Sequence, residues 1–163
     1  MTSPLLALVL AAALPDGAAR YRFELDGEHV GVVDLSIRCL GETCSATWAS
    51  ERRPPVEAGT RRSTRRVELE VDRKGRWRGG RLRVTEDGEG VRAAGVPGAV
   101  PATLAEVALQ AAVPIAPRKG WQASLPPAEA VCLDVFDEST GEVGRACARP
   151  DGERLAATVL GVE

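Results

Sequence analysis

Short stretches of alternating apolar and polar residues recur along this chain, separated by clusters of glycine, proline and aspartate. Residues 67–71 read Val-Glu-Leu-Glu-Val, and residues 131–135 repeat the alternation as Val-Cys-Leu-Asp-Val. A period of two places apolar side chains on one face of a β-strand. With the turn residues between them, these stretches predict a meander of hairpins, and therefore an α+β fold dominated by a curved antiparallel β-sheet.

The first hairpin is predicted from the turn pair Asp26-Gly27, which joins strands over residues 21–25 and 28–37. Folding about this turn sets two cross-strand pairs: Phe23 with Val30, and Tyr21 with Val32. Further along, the inward-facing positions change phase to Val33, Leu35 and Ile37. A change of phase within one strand indicates an extra residue, so we expect a β-bulge near Val32-Val33.

Two more groups of strands follow. The hairpin over residues 67–84 turns at Asp72-Arg73-Lys74-Gly75, and Gly79-Gly80 makes its return strand flexible. Residues 131–162 predict a three-strand meander that turns at Ser139-Thr140 and at Pro150-Asp151-Gly152.

One helix is predicted, at residues 101–112. Thr103 and Glu106 have the spacing of a capping box, and Pro114 stops the helical pattern. Its apolar stripe comprises Leu104, Val107, Ala108 and Ala111. Together with the inward-facing strand residues, the predicted core consists of Phe23, Val32, Leu35, Ile37, Trp48, Leu69, Leu82, Leu104, Val107, Leu133 and Val135.

The four cysteines form two local pairs, each flanking a turn-like sequence. Folding about Gly41-Glu42 gives three facing pairs: Cys39 with Cys44, Ile37 with Ala46, and Leu35 with Trp48. Folding about residues 137–142 gives three others: Cys132 with Cys147, Leu133 with Ala146, and Asp134 with Arg145. Cysteines that face each other on antiparallel strands come within bonding distance. We therefore predict the disulfides Cys39–Cys44 and Cys132–Cys147, which indicate an oxidising compartment.

Residues 1–19 predict a signal peptide. The apolar run over residues 5–14 has the length of a signal-peptide core and is too short to span a bilayer. Small residues at 11–13 and at Ala18-Ala19 offer cleavage points, although no Lys or Arg precedes the run. The alternative is a buried N-terminal segment of a cytosolic protein. Residues 20–163 are then a single β-rich domain, periplasmic or secreted, with no transmembrane span in the mature chain.

The overall composition adds little to the predicted fold. The distribution of charge along the chain, however, indicates a candidate anion-binding surface. The net charge is -2, which does not favour a nucleic-acid partner. Residues 52–83, however, hold twelve basic groups and four acidic ones. Arginines on two adjacent strands would form an anion-binding stripe: Arg61, Arg62, Arg65, Arg66, Arg76, Arg78, Arg81 and Arg83. The alternative is a solvated face whose arginines lie beside carboxylates of neighbouring strands.

The sequence offers no recognisable catalytic or metal-binding constellation. The spacings C-x4-C and C-x14-C differ from the C-x-x-C knuckles of zinc sites. A nucleophilic cysteine would need a histidine partner, and His29 is the only histidine. Acidic groups near Asp26 and Asp87 lack the spacing of an EF-hand loop. A pair of carboxylates from distant strands, as in glycosidases, stays open. We predict no enzyme activity, no metal and no cofactor.

The motif Tyr21-x-Phe23, followed by Gly27-x-x-Val30-Gly31 and an alternating strand, resembles the start of uncharacterised periplasmic half-barrel domains. The resemblance covers residues 21–38 and, more loosely, the hairpin at 67–96. It implies a curved antiparallel sheet that wraps one or two helices, and some such domains resemble lipoprotein carriers. Other similar sequences precede transglutaminase-like domains. No functional residues carry over, because nothing after His29 supplies the histidine of a transglutaminase triad.

These observations predict a non-catalytic exported domain of the bacterial envelope that acts as a binding or scaffold module. The expected partner is an apolar ligand or an envelope protein, held on the concave face of the sheet. Two alternatives stay open. One is an accessory domain of a larger, transglutaminase-like envelope enzyme. The other is a binder of an anionic polymer through the arginines of residues 52–83.

Overall fold

A computed structural model describes residues 13–25, 27–53, 62–112, 131–151 and 154–160. Within these ranges the chain forms ten β-strands, one 3₁₀ turn and one short α-helix, and the strands divide into two sheets. Nearly all strand pairs are antiparallel, and both sheets are open. The predicted α+β fold, dominated by antiparallel sheet, is confirmed.

The first sheet contains six strands that neighbour one another in chain order. They are β1 (Gly17–Leu25), β2 (Glu28–Leu40), β3 (Thr43–Arg52), β4 (Ser63–Asp72), β5 (Trp77–Glu86) and β6 (Glu89–Val91). Alternation along these strands sends apolar residues to an inner face and polar residues to a solvent face. The long strands of residues 28–72 therefore present two continuous and chemically different surfaces.

The second sheet has four strands in the order β10-β9-β8-β7. They are β7 (Val100–Pro101), β8 (Val131–Phe136), β9 (Val143–Asp151) and β10 (Arg154–Leu160). The last three form the predicted meander. β7 runs parallel to β8 and leads into the 3₁₀ turn Ala102–Leu104 and the helix α1 (Ala105–Ala112). The alternation signal missed β7 because two residues are too few to show a period.

The inner face of the first sheet, α1 and the second sheet share one apolar core. Six predicted core residues are buried: Leu35, Ile37, Leu69, Leu104, Val107 and Val135. Trp48, Leu82 and Leu133 are partly buried against that core. Val32 is half-buried and takes the phase of the solvent face. Phe23 is 49% exposed, so its assignment to the core is wrong.

The error at Phe23 comes from the register of the first hairpin. Phe23 pairs with Gly31, Tyr21 pairs with Val33, and Glu24 pairs with His29, so Val30 is the extra residue. The predicted bulge is therefore present but lies at Val30, nearer the turn than Val32-Val33, and the predicted pairs of Phe23 with Val30 and of Tyr21 with Val32 are wrong. A Cβ at Gly31 would come within 2.7 Å of the Glu51 carbonyl oxygen. Such a close approach of β3 requires glycine at Gly31 and leaves the irregularity beside it.

An α-helix forms within the predicted residues 101–112, but it begins at Ala105, after a strand residue at Pro101 and a 3₁₀ turn, and the predicted capping box does not form. The Thr103 N–H and hydroxyl both donate to Oε1 of Glu138, at 2.8 and 2.6 Å. Glu138 lies in the turn between β8 and β9 and is 1% exposed. Glu106 instead accepts a hydrogen bond from Gln110. A carboxylate at a helix start satisfies otherwise unpaired N–H groups. The second sheet therefore caps the helical segment.

Leu14, which the sequence placed in the signal peptide, belongs to the core at 4% exposure. Its N–H donates to the Arg73 carbonyl oxygen at 2.7 Å. Its side chain lies against Gly75, where an added Cβ would also meet Ala108 at 3.3 Å. Residues 1–12 lie outside the described ranges. Cleavage among residues 11–13 would keep this contact, whereas cleavage at Ala18-Ala19 would remove it and shorten β1.

Trp77 links the first sheet to the segment that leads into the second. Its backbone N–H donates to the Ala99 carbonyl oxygen at 2.9 Å, and its backbone carbonyl accepts from the Gly98 N–H at 2.8 Å. A Cβ at Gly95 would come within 2.4 Å of the Trp77 ring. The ring centroid lies 6.2 Å from that of Phe136 in β8. Trp77 thus fixes residues 95–99 against both sheets.

Candidate functional site

Both predicted disulfides form between directly opposed residues. Cys39–Cys44 joins β2 to β3, and Cys132–Cys147 joins β8 to β9. Cys44 is buried on the inner face, whereas Cys132 is exposed on the outer face of the second sheet. All four cysteines are bonded in this way. No cysteine thiol is therefore present as a metal ligand or nucleophile.

The predicted registers around these disulfides are also confirmed. Ile37 faces Ala46 and Leu35 faces Trp48 between β2 and β3. Leu133 faces Ala146 between β8 and β9. In the same pair of strands Asp134 faces Arg145, with Oδ1 and Nε 3.6 Å apart.

The solvent face of the first sheet carries the candidate site. Cross-strand registers align five residues in a row: Arg20, Asp34, Ala49, Arg66 and Thr85. Ala49 contributes only a methyl group between the longer side chains of Asp34 and Arg66. Because adjacent strands are about 4.8 Å apart, the backbones of Asp34 and Arg66 are about 10 Å apart across Ala49. The surface formed by these side chains is therefore depressed at β3.

This dip continues along β3 as a groove. A cavity of about 560 Å³ lies over Val32, Ala49 and Thr64. A second cavity of about 410 Å³ lies over Ser36 and Thr47. Arg20, Asp34, Ala49 and Arg66 line both cavities, which makes them continuous. We call this surface the β3 groove and define it by Val32, Ser36, Thr47, Ala49, Thr64 and Arg66. Its length from Thr47 to Glu51 is about 14 Å at the rise of a β-strand.

One wall of the β3 groove is the ion pair between Arg20 and Asp34. Arg20 donates from Nε and Nη2 to the two oxygens of Asp34, at 2.6 and 3.0 Å. These hydrogen bonds hold the pKa of Asp34 below its usual value. Asp34 therefore stays ionised in the neutral range, and its charge is matched by Arg20.

Glu51 lines the larger cavity near the end of β3. Its Oε1 accepts from Nε of Arg53 at 2.7 Å, and its Oε2 accepts from Nη2 of Arg62 at 2.6 Å. Both bonds lower the pKa of Glu51. Two guanidinium groups thus share one carboxylate, so this end of the β3 groove carries an excess of positive charge.

The opposite wall is formed by Arg66, whose side chain is 52% exposed. Its Nη2 donates to Oε1 of Glu68 at 3.2 Å, and this is its one side-chain hydrogen bond within the described residues. A guanidinium carries five N–H donors. Arg66 therefore retains most of its donors for a ligand in the β3 groove.

Most described members of the predicted arginine stripe lie beside carboxylates, as in the alternative interpretation of this segment. Arg61 lies outside the described residues. Five members contact a carboxylate: Arg62, Arg65, Arg66, Arg78 and Arg81. For Arg76 and Arg83, no ion pair occurs within the described ranges. Of the eight, Arg65 and Arg66 line the larger cavity, and the guanidinium of Arg65 contacts Ser139 and Glu138 in the β8–β9 turn instead. Anion binding by the stripe as a whole stays a prediction.

The remaining polar clusters support the fold. Asp72 accepts N–H bonds from Lys74 and Arg76, and Asp137 accepts them from Ser139 and Thr140. Burial raises the pKa of both aspartates, but these hydrogen bonds outweigh it and the net pKa is lowered. Among the described residues no group of three or more His, Cys, Asp or Glu side chains is placed to hold a metal ion.

Comparison with family models, with curated proteins and with solved structures finds no match to this chain. No helix in the described part of the chain is long and apolar enough to cross a membrane. The two disulfides are compatible with an extracellular or periplasmic protein.

The sequence did not reveal the β3 groove, although one signal for it was present. Ser45, Thr47 and Ala49 are small residues at alternate positions of β3. Across the sheet, Ala49 lies between Asp34 and Arg66, whose side chains are longer than its own and charged. Small residues flanked by larger ones on neighbouring strands form a depression. It can be recognised from sequence only when the strand order is known, because the flanking residues are distant along the chain.

Proposed function

We propose that this chain is an exported, non-catalytic binding module that holds a polar ligand on the solvent face of its six-stranded sheet. The observation that carries the proposal is the β3 groove, with its small floor at Ala49 and charged walls at Asp34 and Arg66. Such a depression, with few convergent polar groups, has the form of a ligand site.

The packing of the inner face favours a polar ligand over the apolar one expected from the sequence. Ile37 and Leu69 are each 2% exposed there, in a core shared with α1 and the second sheet. An apolar ligand on that face would have to displace close-packed side chains. A ligand in the β3 groove displaces only water.

The electrostatics of the β3 groove argue against general-acid catalysis by its carboxylates. A general acid needs a carboxyl group whose pKa is raised toward neutrality. Arginine partners lower the pKa values of Asp34 and Glu51 instead. These carboxylates therefore act as fixed negative charges that position the arginines.

Export is supported by the two disulfides and by the apolar run over residues 5–14. Because Leu14 packs in the core, we expect a signal peptidase to cut among residues 11–13. Intact-mass analysis of protein recovered from the periplasm or medium tests this. The expected product begins near Leu14 and contains both disulfides. An uncut chain with four free thiols would contradict export.

Ligand binding is tested with a panel of a long-chain fatty acid, a galacturonic-acid tetrasaccharide and an oligoglutamate peptide, each measured by calorimetry. Ala49→Leu fills the floor of the β3 groove. Ser45→Leu is the matched control, on the same face of β3 but outside both cavities. We expect the tetrasaccharide or the peptide to bind the unmodified protein and Ser45→Leu equally, and Ala49→Leu about tenfold more weakly or worse. Binding of the fatty acid alone would contradict a polar ligand. Binding that Ala49→Leu leaves intact, or no binding by the panel, would contradict the proposal.

A further inference from the structure

We infer that the ligand of the β3 groove is an anionic saccharide whose carboxylate binds Arg66. This inference rests on the proposed function and names the class of ligand that the same site takes. Three properties of the groove support it: the hydroxyl side chains along it, the fully paired backbone of β3, and the unused guanidinium donors of Arg66.

Hydroxyl side chains are distributed along the whole β3 groove. Ser36 and Thr47 line the smaller cavity, and Thr64 and Thr85 line the larger one. A hydroxyl both donates and accepts hydrogen bonds and rotates to suit its partner. Saccharide hydroxyls have the same two capacities, so the two surfaces match over the length of the groove.

The backbone of β3 disfavours an extended peptide as the ligand. Pairing with β2 covers residues 43–52 on one side, and pairing with β4 covers the same residues on the other. Peptides that bind sheets obtain their affinity from main-chain hydrogen bonds at a free edge. The floor of the β3 groove is the middle of a sheet and offers no free edge. A saccharide needs none, because side-chain groups satisfy its hydroxyls.

The charges of the β3 groove favour an acidic saccharide over a neutral one. Among the described residues that line it there is no Phe, Tyr or Trp, and the His29 imidazole is the one aromatic ring, so a neutral sugar ring has little to stack on. Asp34 is paired with Arg20, and Glu51 is shared by Arg53 and Arg62. Arg66 keeps donors for a ligand, and its planar guanidinium matches a carboxylate in two parallel hydrogen bonds. The guanidinium of Arg66 is therefore the charged group of the groove that is best placed to bind an anionic ligand.

The position of Arg66 makes it the anchor for that anion. It lies opposite Ala49 in the register, and it lines both cavities. An oxyanion at Arg66 therefore sits at the middle of the groove. The saccharide chain then extends toward Thr47 in one direction and toward Glu51, with its two arginines, in the other.

The test is a calorimetric titration with the galacturonic-acid tetrasaccharide, its neutral galactose counterpart, inorganic phosphate and the oligoglutamate peptide. Arg66→Gln removes the guanidinium, and Arg66→Lys keeps the charge but loses the fork. Arg83→Gln is the matched control, an exposed arginine of β5 that lines neither cavity. We expect Arg66→Gln to weaken binding of the acidic saccharide about tenfold or more, and Arg66→Lys to weaken it less. Arg83→Gln should bind like the unmodified protein.

Other outcomes separate the two proposals. Equal binding of the neutral saccharide, or equal affinities of Arg66→Gln and Arg83→Gln, would overturn the inference about ligand class. Tight binding of oligoglutamate or free phosphate alone, lost in Ala49→Leu, would overturn the saccharide assignment but leave the β3 groove as the binding site. Binding unaffected by Ala49→Leu would overturn both.

Discussion

The two faces of the six-stranded sheet are built from neighbouring residues of the same strands, yet they differ in burial and in charge. On β4, Leu69 is 2% exposed in the core, whereas the adjacent Glu68 lies on the solvent face and accepts a hydrogen bond from Arg66. The inner face is covered by α1 and the second sheet. On the solvent face the side chains of Arg20 and Asp34 are 68% and 52% exposed.

This difference indicates a division of roles within one sheet. Apolar burial contributes about 0.8 kcal/mol for each buried methylene group, whereas exposed ion pairs contribute little to stability. The inner face should therefore account for the stability of the fold, and the solvent face should be open to change without unfolding. Variants on the two faces test this division.

The largest effect is expected on the inner face, at Leu69. Leu69→Ala removes a side chain that is 2% exposed and leaves a cavity, so we expect a loss of about 2–5 kcal/mol in the free energy of unfolding. Urea denaturation measures it. Thr47→Ala, on the solvent face of β3, is the comparison and should change the same free energy by less than about 0.5 kcal/mol. Similar losses in the two variants would refute the division of roles.

A smaller loss is expected for the disulfide Cys132–Cys147, although Cys132 is exposed. The cysteines are 15 residues apart, and the chain-entropy model gives about 3 kcal/mol for closing such a loop in the unfolded chain. Replacing both cysteines with alanine should cost that free energy in thermal or urea unfolding. The neighbouring variant Asp134→Ala controls for surface changes on β8. A double variant as stable as the native protein would show that the disulfide has no such role.

A loss that depends on pH is expected at Asp72, in the turn between β4 and β5. Its Oδ1 accepts N–H bonds from Lys74 and Arg76 at 2.9 Å, and its Oδ2 accepts from Nε of Arg78 at 2.9 Å. Asp72→Asn weakens these charge-assisted bonds and should cost about 1 kcal/mol at pH 7. Lys74→Gln keeps the backbone N–H bonds and serves as control.

The sign of that pH dependence follows from the lowered pKa of Asp72 in the folded protein. Burial raises this pKa, but the hydrogen bonds outweigh burial. A lowered folded pKa gives stability that is present above the unfolded value, about 3.9, and is lost as pH falls through the folded pKa. The difference between native protein and Asp72→Asn should therefore shrink as pH falls below about 4. A difference that stays constant with pH would exclude the ionised carboxylate as its cause.

The smallest effect is expected for the ion pair on the wall of the β3 groove. Arg20 and Asp34 are joined by two hydrogen bonds, but both side chains are largely exposed. Arg20→Gln should leave the midpoint of urea unfolding unchanged within error, at low and at high salt. A marked loss of stability would show that the solvent face also supports the fold.

Much of the fold follows from the alternation of apolar and polar residues. The register of β2 with β3 could be predicted because the short turn at Gly41-Glu42 and the inward residues agree on one alignment. The register of β8 with β9 followed from the same agreement. Where pattern and turn specify the same pairing, the sequence is sufficient.

Features that depend on distant partners were not predictable from the pattern. The bulge at Val30 lies beside Gly31, where a carbonyl oxygen of Glu51 on another strand leaves no room for a side chain. Glu138 looks like a turn residue, but it caps a helical segment 35 residues earlier in the chain. The β3 groove exists because Asp34 and Arg66 flank Ala49 in the sheet. The relations at Val30 and Glu138 have no local signature, and the small residues of β3 mark a groove only once the strand order is known.

Chemical-shift mapping by NMR tests the central claim most directly, because it locates the ligand on one face of the sheet. The acidic tetrasaccharide is titrated into the isotope-labelled protein, and methyl resonances of both faces are followed. Our account predicts shifts at Val32, Thr47, Ala49 and Thr64, with those of Ile37 and Leu69 unchanged. Shifts confined to inner-face methyl groups, or no shifts at any concentration, would contradict it.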